Sequence, residues 1–288
     1  MLIHLNSLWK SYELIDCGNL KKLEKFGEYT VIRPEISAKN TPKLSYHDWT
    51  DIADAEFFET EKNKGFWKKY NDNINTWQIS YKNIPININA ELTLTNSKHI
   101  GVFPEQVLNW IFLKKISTEV SNYKLLNLFA HTGLTSIASS FFAEQVTHID
   151  SIKKIVSRAK KNMELSEQKN VRFIVEDAQK FVSREIKRNN KYSGIVLDPP
   201  QIGVGTNNEK WILSEMLDNL LQNITKITCN KSFIIMNLYA QSINQNQIRN
   251  LVFKYFKNYK IETCEKVFGL SKYENNIDHG YFVRGVKF

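Results

Sequence analysis

The sequence predicts an α/β fold: a mainly parallel, seven-stranded sheet with helices on both faces, preceded by a small β-rich domain. From residue 125 onwards, short apolar runs alternate with stretches whose apolar residues have helical spacing. The first 98 residues instead show short alternating stretches separated by turn residues, which is typical of antiparallel strands. We therefore expect two domains, residues 1–98 and 99–288.

In the first domain, strands are predicted at residues 12–15, 29–32, 77–81 and 84–94, with a looser stretch at 37–45. Large aromatic side chains gather in its second half, at Trp49, Phe57, Phe58, Phe66, Trp67, Tyr70 and Trp77. With Lys64, Lys68 and Lys69 nearby, they could form a surface on which nucleic-acid bases stack. The alternative is that they fill the core of a small domain, which needs large side chains to bury enough area.

The second domain begins with a helix that opens at Phe103-Pro104-Glu105-Gln106 and runs to Leu113, because proline and an acid suit a first turn. The run LLNLFAHTG, Leu125–Gly133, then predicts a buried strand that ends in a tight turn. Apolar residues at helical spacing follow from Leu134. A strand, a glycine turn and a helix in succession are typical of a nucleotide-binding unit, in which the glycine lets a ligand approach the backbone.

Acidic residues end three successive predicted strands of this domain. They are Asp150 after strand 146–149, Asp177 after strand 171–175 and Asp198 after strand 194–197. Since the carboxyl ends of parallel strands line one crevice, we expect these three carboxylates to converge. Further strands are predicted at 232–238, 261–268 and 280–286, and helices at 152–165, 177–189, 213–227 and 245–256.

The glycine turn also indicates the class of nucleotide. Asp150 lies 17 residues after Gly133, where an acid accepts hydrogen bonds from ribose hydroxyls. A dinucleotide dehydrogenase would use the same geometry, but the turn has one glycine in place of the GxGxxG pattern. We therefore expect a nucleoside ligand without phosphates.

The net charge of +9 suggests an anionic partner, and the excess lies in the C-terminal half. Residues 151–200 carry 12 basic and 6 acidic side chains, and residues 201–288 carry 11 and 7. The alternative is that these lysines only solvate the outer faces of helices.

Three cysteines, Cys17, Cys229 and Cys264, lie far apart without metal-ligand spacing, which predicts a reducing compartment and no metal site. No run of 18 apolar residues occurs, and the N-terminus becomes charged early. We therefore expect a cytoplasmic protein with no membrane partner.

The motifs LLNLFAHTG, HID, EDA and LDPP resemble those of class I S-adenosylmethionine-dependent methyltransferases, and more narrowly those of the bacterial large-subunit ribosomal RNA methyltransferases. The stretches YELIDCGNLKKLEKFGEYTVIRP and HIGVFPEQVLNW extend the resemblance over nearly the whole chain. It implies a class I, Rossmann-like methyltransferase domain, S-adenosylmethionine as cofactor and RNA, ribosomal RNA above all, as partner.

The resemblance also implies roles for particular residues. Asn127, Phe129 and Gly133 would shape the methionine end of the cofactor site, Asp150 would bind the ribose, and Asp177 with Ala178 would flank the adenine. The segment from Phe103 to Gln106 would close over the cofactor.

Asp198-Pro199-Pro200 is similar to the Asp/Asn-Pro-Pro-aromatic motif of amino-group methyltransferases. That similarity implies that the carboxylate and a proline carbonyl accept hydrogen bonds from the amine of a flipped base, and Asp198 is also expected to border the cofactor. The restricted backbone at proline keeps such a carbonyl in place. Gln201 stands where the motif has its aromatic residue, so Tyr239 or the N-terminal aromatics would have to supply the stacking ring.

Two positions of the turn also depart from the family pattern, with His131 in place of tyrosine and Leu134 in place of a second glycine. His131 could act as a general base, or it could pack and donate hydrogen bonds beside the turn.

The reaction that we expect is methyl transfer to a base nitrogen. Methylating the fifth carbon of cytosine needs a cysteine nucleophile, and none follows the strand that reads IIMNLYAQS. Transfer to nitrogen needs only orientation and loss of an amine proton. The alternatives are a non-catalytic RNA-binding protein with the same fold and a methyltransferase for a small molecule or protein. The sequence leaves open whether the protein is a monomer or a homodimer.

Overall fold

A computed structural model describes residues 1–61, 64–120, 122–205, 207–239 and 243–288. The strands are β1 (Leu2–Ile3), β2 (Tyr12–Gly18), β3 (Lys21–Phe26), β4 (Tyr29–Pro34), β5 (Ala55–Glu61), β6 (Lys64–Lys69), β7 (Thr76–Asn83), β8 (Ile86–Thr93), β9 (Lys124–Leu128), β10 (Gln145–Asp150), β11 (Val171–Val175), β12 (Tyr192–Leu197), β13 (Ile202–Val204), β14 (Lys210–Ile212), β15 (Thr228–Leu238), β16 (Lys260–Leu270) and β17 (Asn276–Lys287). The α-helices are α1 (Tyr46–Ile52), α2 (Val107–Ile116), α3 (Leu134–Ser140), α4 (Lys153–Leu165), α5 (Ala178–Lys187), α6 (Leu213–Lys226) and α7 (Gln245–Phe256).

The chain divides into two compact units. The first contains Met1–Leu108 and Val267–His279, and the second contains Asn109–Lys266 and Gly280–Phe288. Strands β16 and β17 each run from one unit into the other along the chain. The domain boundary that we placed between residues 98 and 99 stays a prediction.

The second unit is built on the predicted parallel sheet. Its strands have the order β16-β17-β15-β12-β9-β10-β11, in which β9, β10, β11, β12 and β15 are parallel and β17 is antiparallel to β15. All seven predicted strands are therefore present. The two-residue strand β1 adds an eighth, pairing with β16 through Leu2 and Phe268 of the first unit.

The core of the second unit lies against the face of the sheet covered by α5, α6 and α7. Leu126 and Leu128 of β9 and Ile195 of β12 belong to this buried cluster, together with Leu217 and Leu220 of α6. Burying side chains of this size contributes roughly 1.5 to 3 kcal/mol each. The helical spacing of the apolar residues in α6 therefore packs that helix onto the sheet.

The first unit contains a five-stranded sheet in the order β2-β3-β4-β5-β6 and a β7–β8 hairpin. Its buried Glu24 accepts two hydrogen bonds from Arg33, at 2.6 and 2.8 Å, so the buried charge is paired. Trp49, Phe57 and Trp77 are buried, as the core interpretation of the aromatic residues requires, whereas Phe66 is exposed.

Several elements differ from the sequence prediction. Strands β3, β5 and β6 and helix α1 are not predicted from the sequence; Ser45 is the N-cap of α1 and forms a capping box with Asp48. The segment after Pro200, predicted to be a loop, forms the β13–β14 hairpin. Strand β15 begins at Thr228, four residues before its predicted start.

Candidate functional site

The sheet of the second unit has a topological switch point between β9 and β12. From β9 the chain proceeds to β10 and β11 on one side, and then crosses to β12 on the other side of β9. The loops leaving the carboxyl ends of β9 and β12 therefore diverge and leave a crevice between them. Ligands of open parallel sheets bind in this kind of crevice.

The strand register places the predicted residues at the same level of this edge. Leu128 of β9 pairs with Ile149 of β10 and with Leu197 of β12. The residues that follow them are Phe129 after Leu128, Asp150 after Ile149 and Asp198 after Leu197. Because neighbouring strands lie about 4.8 Å apart, Asp150 and Asp198 are separated by about 10 Å at the backbone, with Phe129 between them.

The turn after β9 has a constrained backbone. Phe129, His131 and Gly133 have φ angles of +56°, +48° and +84°. A Cβ atom on Gly133 would lie 2.9 Å from Cβ of Ala159 in α4. The glycine is thus required by the backbone conformation and by close packing against α4, in addition to the ligand approach that we had predicted.

Asp150 joins this turn to the end of β10. Its carboxylate accepts hydrogen bonds from the backbone N–H groups of His131, at 3.0 Å, and Ile152, at 2.9 Å. Burial raises the pKa of this carboxyl, and the two hydrogen bonds oppose that effect. Each carboxylate oxygen has a further lone pair, so Asp150 can still accept a hydrogen bond from a ribose hydroxyl.

Asn127 is part of a buried hydrogen-bond chain behind the turn. Its amide nitrogen donates to Oγ of Ser136 at 2.9 Å, and that hydroxyl lies 3.0 Å from Nδ1 of His148. Asn127 and His148 are both buried. This arrangement favours a positioning role for Asn127 over direct contact of its amide nitrogen with the cofactor.

His131 is a poor candidate for a general base in this setting. Desolvation, reinforced by the charge of Arg158, lowers the pKa of His131 to about 4. A group with so low a pKa accepts a proton weakly near neutral pH. Its Nδ1 lies 3.3 Å from Oγ1 of Thr132, so the geometry favours the packing and hydrogen-bonding interpretation.

Asp177 caps helix α5, and Ala178 is the first residue of that helix. The carboxylate of Asp177 accepts a hydrogen bond from the backbone N–H of Lys180 at 2.9 Å, and Ala178 is buried. Both residues follow β11, which pairs with β10 so that Val175 lies beside Asp150.

The Asp198-Pro199-Pro200 segment leaves β12 at the switch point. The backbone N–H of Asp198 donates to the carbonyl of Leu128 at 3.3 Å. The carbonyl of Pro200 accepts a hydrogen bond from Nε1 of Trp211 at 2.7 Å. Trp211 lies in β14 and is buried, so the unpredicted hairpin contacts the predicted acceptor motif directly.

Sequence reasoning missed Trp211 and Asn237. Asn237 follows Met236, which pairs with Leu197, and thus lies level with Asp198. Its amide is buried, and among the residues that the structure describes neither amide atom has a hydrogen-bond partner.

The β13–β14 hairpin, which carries Trp211, could have been recognised from the alternation of Ile202, Gly203 and Val204 before a turn rich in Gly and Asn.

Phe103 and Gln106 belong to the first unit. The Phe103 ring lies 5.3 Å from the His99 ring, and the backbone N–H of Gln106 donates to the carbonyl of Phe103. Their contribution to the cofactor site stays a prediction. Tyr239, proposed as a stacking ring, is half-buried, and residues 240–242 of the same predicted stretch lie outside the described residues.

None of the three cysteines lies at the carboxyl edge of the sheet. Cys229 is the second residue of β15, at the amino end of the strand, whereas Asn237 lies at its carboxyl end. Burial raises the pKa of Cys264, in β16. In the first unit, burial raises the pKa of Cys17 to about 12.

Within the described ranges, no group of three or more His, Cys, Asp or Glu residues could hold a metal ion. In the same ranges, no helix combines the length and the apolar character needed to cross a membrane.

The residues at this edge fit S-adenosylmethionine chemically. Its ribose hydroxyls are hydrogen-bond donors, and Asp150 and Asp177 present carboxylate acceptors at neighbouring strand ends. Its apolar parts need an apolar surface, which the half-buried Phe129 ring offers at the same edge.

Comparison with known proteins agrees with this fit. The family described as "Conserved hypothetical protein 95" matches residues 92–264. A crystal structure of an S-adenosylmethionine-dependent methyltransferase from Agrobacterium tumefaciens is 30% identical, with a TM-score of 0.87, and the match covers 97% of this chain and 91% of that chain.

Two curated relatives have RNA methyltransferase names. An uncharacterised RNA methyltransferase of Clostridium acetobutylicum is 31% identical over 50% of this chain, and the match spans 29% of that protein. A 23S rRNA uracil-C5 methyltransferase of Aliivibrio fischeri is 26% identical over 44% of this chain, and the match spans 26% of that protein. The chain thus matches less than a third of the length of these relatives. On the family match, the likeness over nearly its full length and the geometry of the sheet edge, this chain belongs to the "Conserved hypothetical protein 95" family of class I S-adenosylmethionine-dependent methyltransferases.

Proposed function

We propose that this protein transfers a methyl group from S-adenosylmethionine to a base nitrogen of RNA, and that ribosomal RNA is its substrate. The observation that carries the proposal is the register of the sheet, which aligns Phe129, Asp150 and Asp198 across the switch point. Asp150, which would accept hydrogen bonds from the ribose, and Asp198, which would accept them from the amine, then lie on either side of the Phe129 ring. Their separation of about 10 Å leaves room for a nucleoside and a base.

The bound cofactor supplies a methyl group already activated on a sulfonium. Asp150 accepts hydrogen bonds from the ribose, and Asp177 with Ala178 borders the adenine. Asn127, Phe129 and Gly133 shape the turn at the methionine end of the cofactor. The carboxylate of Asp198 and one proline carbonyl, that of Pro199 or Pro200, accept hydrogen bonds from the amine of the base, and the carboxylate favours loss of the amine proton.

The positions of the cysteines support nitrogen as the methylated atom. Methylation at the fifth carbon of a pyrimidine by covalent catalysis needs a reactive thiolate beside the base. Cys229 lies at the opposite end of β15, and the raised pKa values of Cys17 and Cys264 disfavour their thiolates at neutral pH. The uracil-C5 name of one relative therefore does not carry over to this chain in our proposal.

Two observations support RNA as the substrate. The curated relatives have RNA methyltransferase names, one of them for 23S rRNA. In addition, helix α4, which packs under the glycine turn, exposes Lys153, Lys154, Lys160 and Lys161. Exposed cations clustered on one helix favour a polyanionic substrate.

The test is transfer of a tritiated methyl group to unmodified ribosomal RNA, followed by mass spectrometry of the nucleosides. We expect an N-methylated nucleoside, and we expect Asp198→Ala to lower kcat by roughly 100-fold because the amine loses its acceptor. Asp218→Ala is the matched control, since this acid lies on the surface of α6 and pairs with Lys254. It should retain the parental rate.

The alternatives give different results. Cofactor and RNA binding without any transfer would identify a non-catalytic binder, and label in protein or small molecules would identify another substrate class. A 5-methylpyrimidine product that disappears in Cys229→Ser or Cys264→Ser would refute the nitrogen assignment while leaving the methyltransferase assignment intact.

A further inference from the structure

We propose that Trp211 is a positioning residue that holds the cofactor turn and the acceptor motif in register. This inference rests on the proposed function. Trp211 is buried in the β13–β14 hairpin, and it makes a separate contact with each of the two loops that leave the switch point. One contact is a hydrogen bond and the other is a packed ring.

The hydrogen bond fixes the backbone of the acceptor motif at Pro200. Neither Pro199 nor Pro200 has a backbone N–H group, so the backbone of these two residues can make hydrogen bonds only through its carbonyls. Asp198 is held by the carbonyl of Leu128, and Gln201 accepts a hydrogen bond from the N–H of Leu213 at 3.0 Å. Between these points, Nε1 of Trp211 donates to the Pro200 carbonyl at 2.7 Å.

The ring contact joins Trp211 to the cofactor side of the crevice. Its ring centroid lies 4.8 Å from that of Phe129, with 55° between the ring planes. Phe129 has a positive φ of +56°, a backbone conformation that side-chain-bearing residues adopt only when their surroundings enforce it. The indole packed against the ring is one such constraint.

The hairpin is built to bring Trp211 onto the acceptor motif. Gly203 pairs with Trp211 across the hairpin. A Cβ atom on Gly203 would lie 3.3 Å from Cγ of Pro200, which is a tight contact, and 3.7 Å from Cβ of Trp211, which is an ordinary one. The glycine therefore lets the hairpin approach the proline. By contrast, Ile202 and Val204 are exposed on the other face.

This geometry makes a specific prediction for the reaction. The methyl donor and the amine must meet at about 3 Å, and a misplacement of 1 Å can cost about 100-fold in rate. Trp211 links the loop that bears the amine acceptor to the loop that borders the cofactor. Losing its N–H group should therefore impair the methyl-transfer step more than it impairs the binding of either ligand.

The test compares Trp211→Phe, which keeps a ring against Phe129 and removes the N–H donor, with the parent. We expect kcat for RNA methylation to fall about 10-fold. The KM for RNA and the calorimetric affinity for S-adenosylhomocysteine should each stay within about twofold of the parent. Trp211→Ala removes the ring as well and should also weaken the binding of S-adenosylhomocysteine.

Trp77→Phe is the matched control. Trp77 is buried in the first unit and donates its Nε1–H to the carbonyl of Phe26 at 2.9 Å, so its replacement removes the same kind of hydrogen bond. It should lower the Tm as much as Trp211→Phe does, without the fall in kcat. The inference is overturned if Trp211→Phe keeps the parental kcat, or if Trp77→Phe loses kcat equally. A parent that binds the cofactor but transfers no methyl group would instead refute the proposed function.

Discussion

His148 shows how one buried residue links the candidate site to the stability of the fold. It is fully buried on β10, and burial together with the nearby His131 lowers the pKa of His148 to about 3. In the unfolded chain a histidine has a pKa of about 6.5. Below pH 6.5 the unfolded state therefore binds a proton that the folded state does not. The free energy of unfolding consequently decreases as the pH is lowered from 6.5 to about 3.

We expect His148→Gln to reduce this loss. Between pH 7.5 and 5.0, the free energy of unfolding of the parent should decrease by about 2 kcal/mol more than that of the variant. Urea denaturation at the two pH values measures the difference. Equal losses in parent and His148→Gln would contradict the assignment.

The sequence indicated the acids but not the residues that contact them. Asp150, Asp177 and Asp198 could be predicted because each lies at the end of an apolar strand or within two residues of it, and parallel strands end at one edge. Trp211 and Asn237 could not. An indole in a presumed loop and an asparagine near the end of a strand acquire a role only from what lies beside them in space.

The turn between β9 and α3 is the element whose geometry can be tested most directly. Gly133→Ala should lower the free energy of unfolding by roughly 2 to 3 kcal/mol, because alanine resists a φ of +84° and its methyl group would contact Ala159. Urea denaturation of the variant measures this loss.

A double-mutant cycle separates the two causes. Ala159→Gly removes the Cβ atom that lies 2.9 Å from the added methyl group, and alone it should cost about 1 kcal/mol as a glycine within α4. Combined with Gly133→Ala, it should cost less than the sum of the single changes, because only the backbone strain remains. Strict additivity would show that the contact with Ala159 is not the source of strain.

Helices and strands with a clear apolar periodicity were predicted well, and short elements were not. The sheet strands and helices of the second unit follow from periodicity, whereas β13 and β14 have three residues each and depend on pairing with each other. In the first unit, β6 has exposed residues at alternate positions, but its charged and aromatic side chains hid the strand pattern. The capping box of α1 was a local signal that could have been recognised.

At the scale of the whole molecule, the net charge of +9 predicts salt-dependent RNA binding. We expect the logarithm of the RNA affinity to fall linearly with the logarithm of salt concentration. Replacing Lys153, Lys154, Lys160 and Lys161 of α4 by glutamine should reduce that slope by about 3, if each contacts one phosphate. Fluorescence anisotropy with labelled RNA at several salt concentrations provides the measurement.

The matched control removes the same charge elsewhere. Lys10, Lys25, Lys39 and Lys43 are exposed residues of the first unit, and that unit's first 100 residues carry 13 basic and 13 acidic side chains. Their replacement by glutamine should leave the slope close to that of the parent. If both quadruple variants reduced the slope equally, overall charge rather than the α4 surface would account for RNA binding.

Apolar periodicity and strand termini are local properties of the chain, so the sequence alone predicts the α/β class, the order of strands and helices along the chain and the three acids at the strand ends. It also contains the family resemblance. Which side chains adjoin those acids depends on the tertiary structure. Strand register aligned Asp198 with Phe129 and Asn237, and the hairpin brought Trp211 against Pro200. Such contacts join residues that are distant in sequence, so no local pattern encodes them.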